Sequence, residues 1–290
     1  MSDTHTIGER NAAKLNARFR NRGQDVPQGF QRYAQERLAC RLQAFEEGRH
    51  LVVTGGCLYH WCPTMSDMDR PTSDIDLHTY EVRSHEEILD LFHRAVTVDD
   101  SDGFRFEITK TSELEHEHSE YRGLRIYILG YLGKTRVTTY ADISIGGEPP
   151  IGLRELPIVP MIEGQTSATV RAQPWEYCMA EKLHGIVTRG LTNTRMKDYR
   201  DLVLLSRKGF DPEKVRNAIA HTFAQCRTEM PAGTPEGLMP AFSEAKQAEW
   251  TRHLAKNRVT GWPQDLETVV AELRTYFSDK MVPTHAPAYQ

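Results

Sequence analysis

The chain has 290 residues, 39% of them apolar, so it is long enough to bury one large core or two modest ones. Its formal net charge of −4 and pI near 6.3 argue against a protein that coats nucleic acid along its whole surface, since such proteins are strongly basic. There is no apolar run of about 18 residues, no apolar leader, and an odd number of cysteines without CxxC spacing, so we expect a cytoplasmic protein with reduced thiols and no membrane span.

The amino-terminal half mixes helical and strand-like patterns. Apolar residues at three- and four-residue steps predict a helix over 30–45, with its arginines pointing away from the buried face. The elements predicted next are a strand at 51–53, a glycine turn at Gly55 and Gly56, a helix from Cys57, a strand at 74–77, a helix at 85–96, and strands at 104–108, 124–132 and 136–145. Turn residues separate the last three strands, which favours a mixed or antiparallel sheet.

The carboxy-terminal half is helical. A proline-punctuated connector over 148–160 precedes predicted helices at 175–187, 194–206, 212–223 and 266–277. Asp211 before Pro212 is a strong helix start, because the Asp side chain caps free amides and proline suits the first helical position. The sequence therefore predicts an α+β protein, with a mixed sheet and helices in a domain at 1–160 and a helical domain at 161–290.

Three acidic residues follow the glycine turn. Asp74 and Asp76 are two apart on one strand, so their side chains emerge on one face and can share divalent ions. Asp142, on a later strand, supplies a third carboxylate. A D-x-D motif alone is more often a solvated strand face. The order of glycine turn, helix, acidic strand and third acid instead indicates a metal site for phosphoryl transfer, with glycine amides meeting the phosphates.

Four blocks of the sequence resemble the AbiEii/AbiGii abortive-infection nucleotidyltransferase family, which includes MenT-type toxins. They are RYAQERLACRLQAFEEGRHLVVTGGCLYHW, RPTSDIDL, TTYADISIG and PWEYCMAEKLHGIVTRGLTNTRMKDYRDL, in the family's order. The resemblance implies a polymerase-β-like nucleotidyltransferase fold that uses a nucleoside triphosphate with Mg²⁺ or Mn²⁺. It also implies a toxin with a cognate antitoxin protein, acting on an RNA acceptor such as the tRNA 3′ end.

The same resemblance assigns roles to individual residues. Asp74 and Asp76 match the metal-binding carboxylates, and Lys182 matches the essential lysine. Gly55 and Gly56 match the glycine motif, and Asp198 and Asp201 match the second acidic block. With Lys182, and with Arg189, which helical spacing places on nearly the same face as Lys182, these are the residues expected at the nucleotide or in catalysis. Cys57 departs from the family, because many nucleotidyltransferases have a small or hydroxyl-bearing residue there.

Helical spacing in the second half agrees with this assignment. Lys182 and Arg189 are seven apart, and Asp198 and Asp201 three apart, so a basic pair on one helix can face an acidic pair on the next. The alternative is a set of structural ion pairs, Arg195 with Asp198 and Lys197 with Asp201. The spacing alone favours the structural pairs, and the resemblance favours function for Lys182 and Asp198.

Two basic stretches are candidates for RNA contact, since local positive charge binds phosphates even on an acidic protein. The preferred one is in the helical half and includes Arg195, Arg200, Arg207 and Lys208; the other is amino-terminal and comprises Lys14, Arg18, Arg20, Arg22, Arg32 and Arg37. Two other functions stay open, a small-molecule nucleotidyltransferase and a non-catalytic nucleotide-binding protein on the same fold.

Overall fold

A computed structural model describes residues 3–68, 70–81, 83–114, 123–257 and 259–281. The chain divides into two compact units, Met1–Gln173 and Pro174–Gln290. The first unit contains the sheet and the second is helical. The predicted α+β class, with a mixed sheet followed by a helical region, is therefore confirmed.

The first unit contains five helices and seven strands within the residues that the structure describes. In chain order they are α1 (Asp3–Asn21), α2 (Val26–Leu42), α3 (Glu46–Arg49), β1 (Val52–Thr54), α4 (Cys57–Trp61), β2 (Asp74–Thr79), α5 (His85–Thr97), β3 (Phe104–Leu114), β4 (Gly123–Leu132), β5 (Thr135–Ile145), β6 (Arg154–Ile158) and β7 (Ala168–Ala172), with a 3-10 segment at Pro63–Met68 after α4.

The strands form one mixed sheet in the order β3-β4-β5-β2-β1-β7-β6. β2 pairs with β5 in parallel and β1 pairs with β7 in parallel, whereas the other neighbours are antiparallel. Along β2, β4 and β5 buried residues alternate with partly exposed ones. One face of this part of the sheet is thus apolar, and α1, α2 and α5 pack against β4, β5 and β3.

Helix α2 differs from its prediction in both bounds and burial. It begins earlier because the Asp25 side chain accepts a hydrogen bond from the Gln28 amide at 2.9 Å and Pro27 suits the first turn. Two of its arginines, expected to point outward, are fully buried: Arg41 pairs with Asp102 at 2.7 Å, and Arg37 pairs with Glu36 at 2.9 Å. Ion pairing explains this burial, and it removes Arg37 from the candidates for RNA contact.

The second unit consists of helices in its described residues. They are α6 (Trp175–Arg189), α7 (Met196–Ser206), α8 (Pro212–Gln225), α9 (Pro240–Lys256) and α10 (Leu266–Phe277), with 3-10 segments at Gly190–Thr192 and Glu236–Leu238. The predicted start of α8 is confirmed, because the Asp211 side chain accepts from the Glu213 amide at 2.9 Å.

Two strands lie where the sequence predicted none. β6 falls inside the predicted connector 148–160, and that prediction is wrong for residues 154–158. Pro157 suggested a loop, but an edge strand tolerates proline because one side of its backbone has no ladder partner. β7 pairs with β1 and extends the first unit to residue 173, beyond the predicted boundary at 160.

Within the described ranges, no helix combines the length and the apolar composition needed to cross a membrane.

Candidate active site

Three carboxylates meet on the less buried face of the sheet. The parallel register places Asp76 of β2 beside Asp142 of β5, and Asp74 is two residues from Asp76 on the same strand and face. One carboxylate oxygen from each residue lies within 4.8 Å of those of the other two. All three side chains are only partly buried, so the cluster is accessible. The structure thus brings together the three acids singled out in the sequence.

The glycine turn lies directly against this cluster. Gly55 has a φ of +63°, a left-handed conformation that strongly favours glycine, and a Cβ added there would be 1.9 Å from Asp76 Oδ2. A Cβ on Gly56 would be 2.7 Å from Thr72 Oγ1, whose hydroxyl donates to Asp74 Oδ1 at 2.7 Å. Both glycines are therefore required for the close approach of the turn to the acidic strand.

Cys57 does not face this cluster as a reactive thiol. Its side chain is fully buried and its Sγ donates to the backbone oxygen of Asp74 at 3.2 Å. Burial, reinforced by the charges of Asp76 and Asp74, raises the pKa of Cys57 well above its usual value. The neutral thiol therefore has a structural role, because its hydrogen bond holds the first residue of β2 against the start of α4.

Arg125, which sequence analysis did not identify, pairs with the third acid. It lies opposite Asp142 on β4, with its Nε 2.7 Å from Oδ1 and its Nη2 2.5 Å from Oδ2. The Arg125 side chain is 31% exposed, so solvent and ligands reach it. Hydrogen bonding to Asp142 raises the pKa of Arg125 further, so the guanidinium carries a full charge.

The acidic cluster fits a divalent cation. Hard cations such as Mg²⁺ and Mn²⁺ take oxygen ligands, and one oxygen from each of the three carboxylates lies within 4.8 Å of the others. Arg125 offsets only one of the three negative charges. Since each carboxylate oxygen has two lone pairs, Asp142 can accept from Arg125 and still contribute a ligand.

In the second unit, Lys182 of α6 joins two acids of α7. Its Nζ is 2.9 Å from Asp201 Oδ2 and 3.2 Å from Asp198 Oδ1, and Arg195 Nε is 2.7 Å from Asp198 Oδ2. Burial alone would raise the pKa of Asp198, yet Lys182, Arg195 and Lys197 outweigh it and hold that pKa below its usual value. The sequence offered two interpretations of these residues, and the network contains parts of both. Lys182 faces Asp198 and Asp201 across the two helices, as the functional interpretation predicted, and Arg195 pairs with Asp198, as the structural alternative predicted.

The exposure of these residues limits what each can do. Lys182 is 12% exposed, whereas Asp201 is fully buried and so does not contact a ligand directly. Arg189 is exposed and donates to the Gly185 carbonyl oxygen of its own helix at 3.1 Å. It does not add to the contacts between Lys182 and the acidic pair.

The four arginine and lysine residues proposed for RNA contact differ in accessibility. Arg200 is 9% exposed and lies over the Trp262 ring at 5.6 Å, so it lacks the exposure that a phosphate contact needs. Arg207 is exposed and makes a bidentate pair with Glu272, both distances being 2.7 Å. Arg195 is half-exposed beside Asp198, and Lys208 is partly buried.

Comparisons with known proteins assign the chain to a family. The sequence matches the family model described as nucleotidyl transferase AbiEii toxin, type IV TA system, over residues 37–272. Among solved structures it is similar to JHP933 from Helicobacter pylori (14% identity, 86% of this chain, 90% of that chain, TM-score 0.46) and to a putative nucleotidyltransferase from H. pylori (13%, 85%, 91%, 0.46). A search of curated proteins gives no match. Because the family model covers most of the chain, the protein belongs to the AbiEii family of nucleotidyltransferase toxins.

Proposed function

We propose that this enzyme transfers a nucleotide from a nucleoside triphosphate to the 3′ hydroxyl of an RNA acceptor, with tRNA as the first candidate. The observation that carries the proposal is the cluster of Asp74, Asp76 and Asp142 against the glycine turn. The family description, a toxin of a type IV system, implies a nucleotide substrate and an antitoxin partner.

The reaction requires one bond to form and one to break. The acceptor oxygen attacks the α-phosphorus, the bond from that phosphorus to the bridging oxygen breaks, and pyrophosphate leaves while the hydroxyl proton passes to solvent or a base. Mg²⁺ or Mn²⁺ bound at the three carboxylates would supply charge stabilisation and a more acidic attacking hydroxyl.

The chain's own residues would contribute binding and orientation. Gly55 and Gly56 let the backbone of the turn pack against Asp76 and Thr72, and from the family resemblance we infer that this backbone binds the phosphates beside the carboxylates. Thr72 fixes the Asp74 carboxylate through its hydroxyl. From the family resemblance we infer that Lys182 supplies positive charge to the triphosphate, while Asp198 and Asp201 hold its ammonium group in position.

The test is transfer of radiolabel from each of the four α-labelled triphosphates to total tRNA by the full chain with Mg²⁺. Asp74→Asn and Asp76→Asn keep the side-chain shape but weaken metal ligation, so transfer should fall by about a hundredfold or more with little change in melting temperature. Asp90→Asn, at an exposed acid on α5, is the matched control and should retain full activity.

Two results would contradict the proposal. Full transfer by both the Asp74→Asn and the Asp76→Asn variants would show that the acidic cluster takes no part in the reaction. Transfer of label to a small molecule instead of RNA would favour the small-molecule nucleotidyltransferase.

A further inference from the structure

The sheet face that carries the acidic cluster also carries a row of cations and tyrosines. The antiparallel registers put Arg125 opposite Asp142, Lys110 opposite Tyr127, and both Arg105 and Arg136 opposite Tyr131. All these side chains are exposed or partly exposed and lie on the face away from the apolar layer. The row begins at the acidic cluster and extends away from it along β4.

Aromatic rings hold these cations in place. Lys110 Nζ lies 4.2 Å from the centroid of the Tyr127 ring, and the guanidinium carbons of Arg105 and Arg136 lie 4.7 and 5.9 Å from that of Tyr131. Such cation–π contacts restrict a flexible side chain without consuming its charge or its N–H donors. The three cations are thus preorganised on the sheet and still able to bind an anion.

The length and charge of the row indicate what kind of anion. Tyr131 is six positions after Arg125 on β4, which corresponds to about 20 Å at the usual rise of a strand. This length exceeds a single triphosphate and suits a polyanion. Glu107, whose carboxylate accepts from the Tyr131 hydroxyl at 3.4 Å, offsets one of the positive charges, so the row remains net positive.

We propose that Arg105, Lys110 and Arg136 form a track for the phosphates of single-stranded RNA, which leads the acceptor 3′ end to the acidic cluster. The inference rests on the proposed function and locates its acceptor in the first unit, on a different surface from the helical residues favoured by sequence. Phosphate contacts of this kind position a strand without selecting its sequence.

The experiment measures binding of a short labelled single-stranded oligoribonucleotide and of tRNA to the full chain over a range of salt concentrations. The test variant is Arg105→Gln, Lys110→Gln and Arg136→Gln together, which leaves Arg125 and the acids unchanged. The control is Lys14→Gln, Arg20→Gln and Arg22→Gln, which removes the same charges from exposed positions on or next to α1. A second control, Arg195→Gln with Arg207→Gln, tests the helical surface.

The track variant should bind RNA about tenfold or more weakly, and its plot of log affinity against log salt should be flatter by about 2, at roughly 0.7 per lost contact. Both controls should keep most of the affinity. Mn²⁺ binding by the track variant should equal that of the wild type, because the acidic cluster is intact.

A second measurement needs no variant. Photo-crosslinking of wild-type protein to thiouridine-substituted RNA should label peptides from β3, β4 and β5. Two results would contradict the proposed track but not the proposed function. One is salt-dependent RNA binding by the wild type that the track variant retains in full, and the other is crosslinks that fall only in residues 174–290. If wild type binds Mn²⁺ but no RNA, both the track and the RNA acceptor are wrong.

Discussion

Lys182 has a structural role beside the functional role proposed for it. Its ammonium group lies between Asp198 and Asp201, which are 4% and 0% exposed. Removing the cation leaves two buried carboxylates without their main partner, and breaking a buried pair in this way costs about 3–5 kcal/mol. Loss of activity in a Lys182 variant therefore does not by itself demonstrate a role in catalysis.

A paired substitution separates the two roles. Lys182→Met should lower the free energy of unfolding by about 3 kcal/mol, and adding Asp201→Asn should restore much of it, because one uncompensated buried charge is removed. We expect both variants to lack transfer activity, measured with labelled triphosphate beside urea unfolding. Arg195→Gln, at the exposed partner of Asp198, should cost less than about 1 kcal/mol. Recovery of transfer together with stability in the double variant would make Lys182 a structural residue only.

The acids of the site were predictable from sequence because strand periodicity alone puts Asp74 and Asp76 on one face. The role of Arg125 was harder to predict, because its pairing with Asp142 depends on the register between two strands. That register follows from the two-residue turn of Gly133 and Lys134, where Gly133 has a φ of +58°, and counting outward from the turn pairs Arg125 with Asp142. Thr72 was not predictable, because its contact depends on how the loop before β2 folds back.

At the scale of elements, helix α4 contains a histidine with an unusual environment. Both ring nitrogens of His60 are buried, and among the described residues neither has a hydrogen-bond partner. Burial, with the charges of Arg32 and Arg70, lowers the pKa of His60 to about 3. In the unfolded chain the ring titrates near pH 6.5, so below that pH the unfolded state binds a proton that the folded state does not.

The pH dependence of stability should follow from this difference. The contribution of His60 is fully present above about pH 6.5 and is lost as the pH falls towards 3. Between about pH 7.5 and 5, wild type should lose roughly 2 kcal/mol more unfolding free energy than His60→Phe, at 1.36 kcal/mol per pH unit. Urea unfolding at the two pH values measures this, with His93→Phe, at an exposed ring on α5, as the control. Parallel losses in wild type and His60→Phe would mean that the buried ring is protonated in the folded state.

Elements with a regular apolar period were predicted well, and the missed ones have a physical reason. Helices α5 and α10 and strands β4 and β5 lie within about two residues of their predicted bounds. Helix α9 was missed because only Phe242, Trp250 and Leu254 supply large buried apolar side chains over its 17 residues. Strand β7 has five residues, too few for a period to be distinguished from a loop, and its pairing with β1 comes from the tertiary fold.

For the whole molecule, the net charge disfavours RNA binding, whereas a local positive surface favours it. The chain is acidic overall, at −4, yet the proposed RNA track is a local positive surface on the sheet. The acidic cluster nearby concentrates three negative charges against one arginine. A divalent ion that binds this cluster binds the folded state and not the unfolded chain, so the stability of the protein reports its occupancy.

Mn²⁺ should therefore raise the temperature of the unfolding transition that includes the first unit. At about a hundred times the dissociation constant the expected gain is about 2.7 kcal/mol, which corresponds to several degrees for a chain of this size. Arg125→Gln should melt lower than wild type in EDTA, because Asp142 then faces the other carboxylates without its counterion. Mn²⁺ should raise the unfolding temperature of Arg125→Gln by more than it raises that of the wild type, because no positive charge beside the cluster then opposes binding of the ion. Asp142→Asn, with one ligand weakened, should show a smaller shift than wild type. Scanning calorimetry in EDTA and in Mn²⁺ distinguishes these cases, and equal shifts in wild type, Arg125→Gln and Asp142→Asn would mean that the ion binds elsewhere.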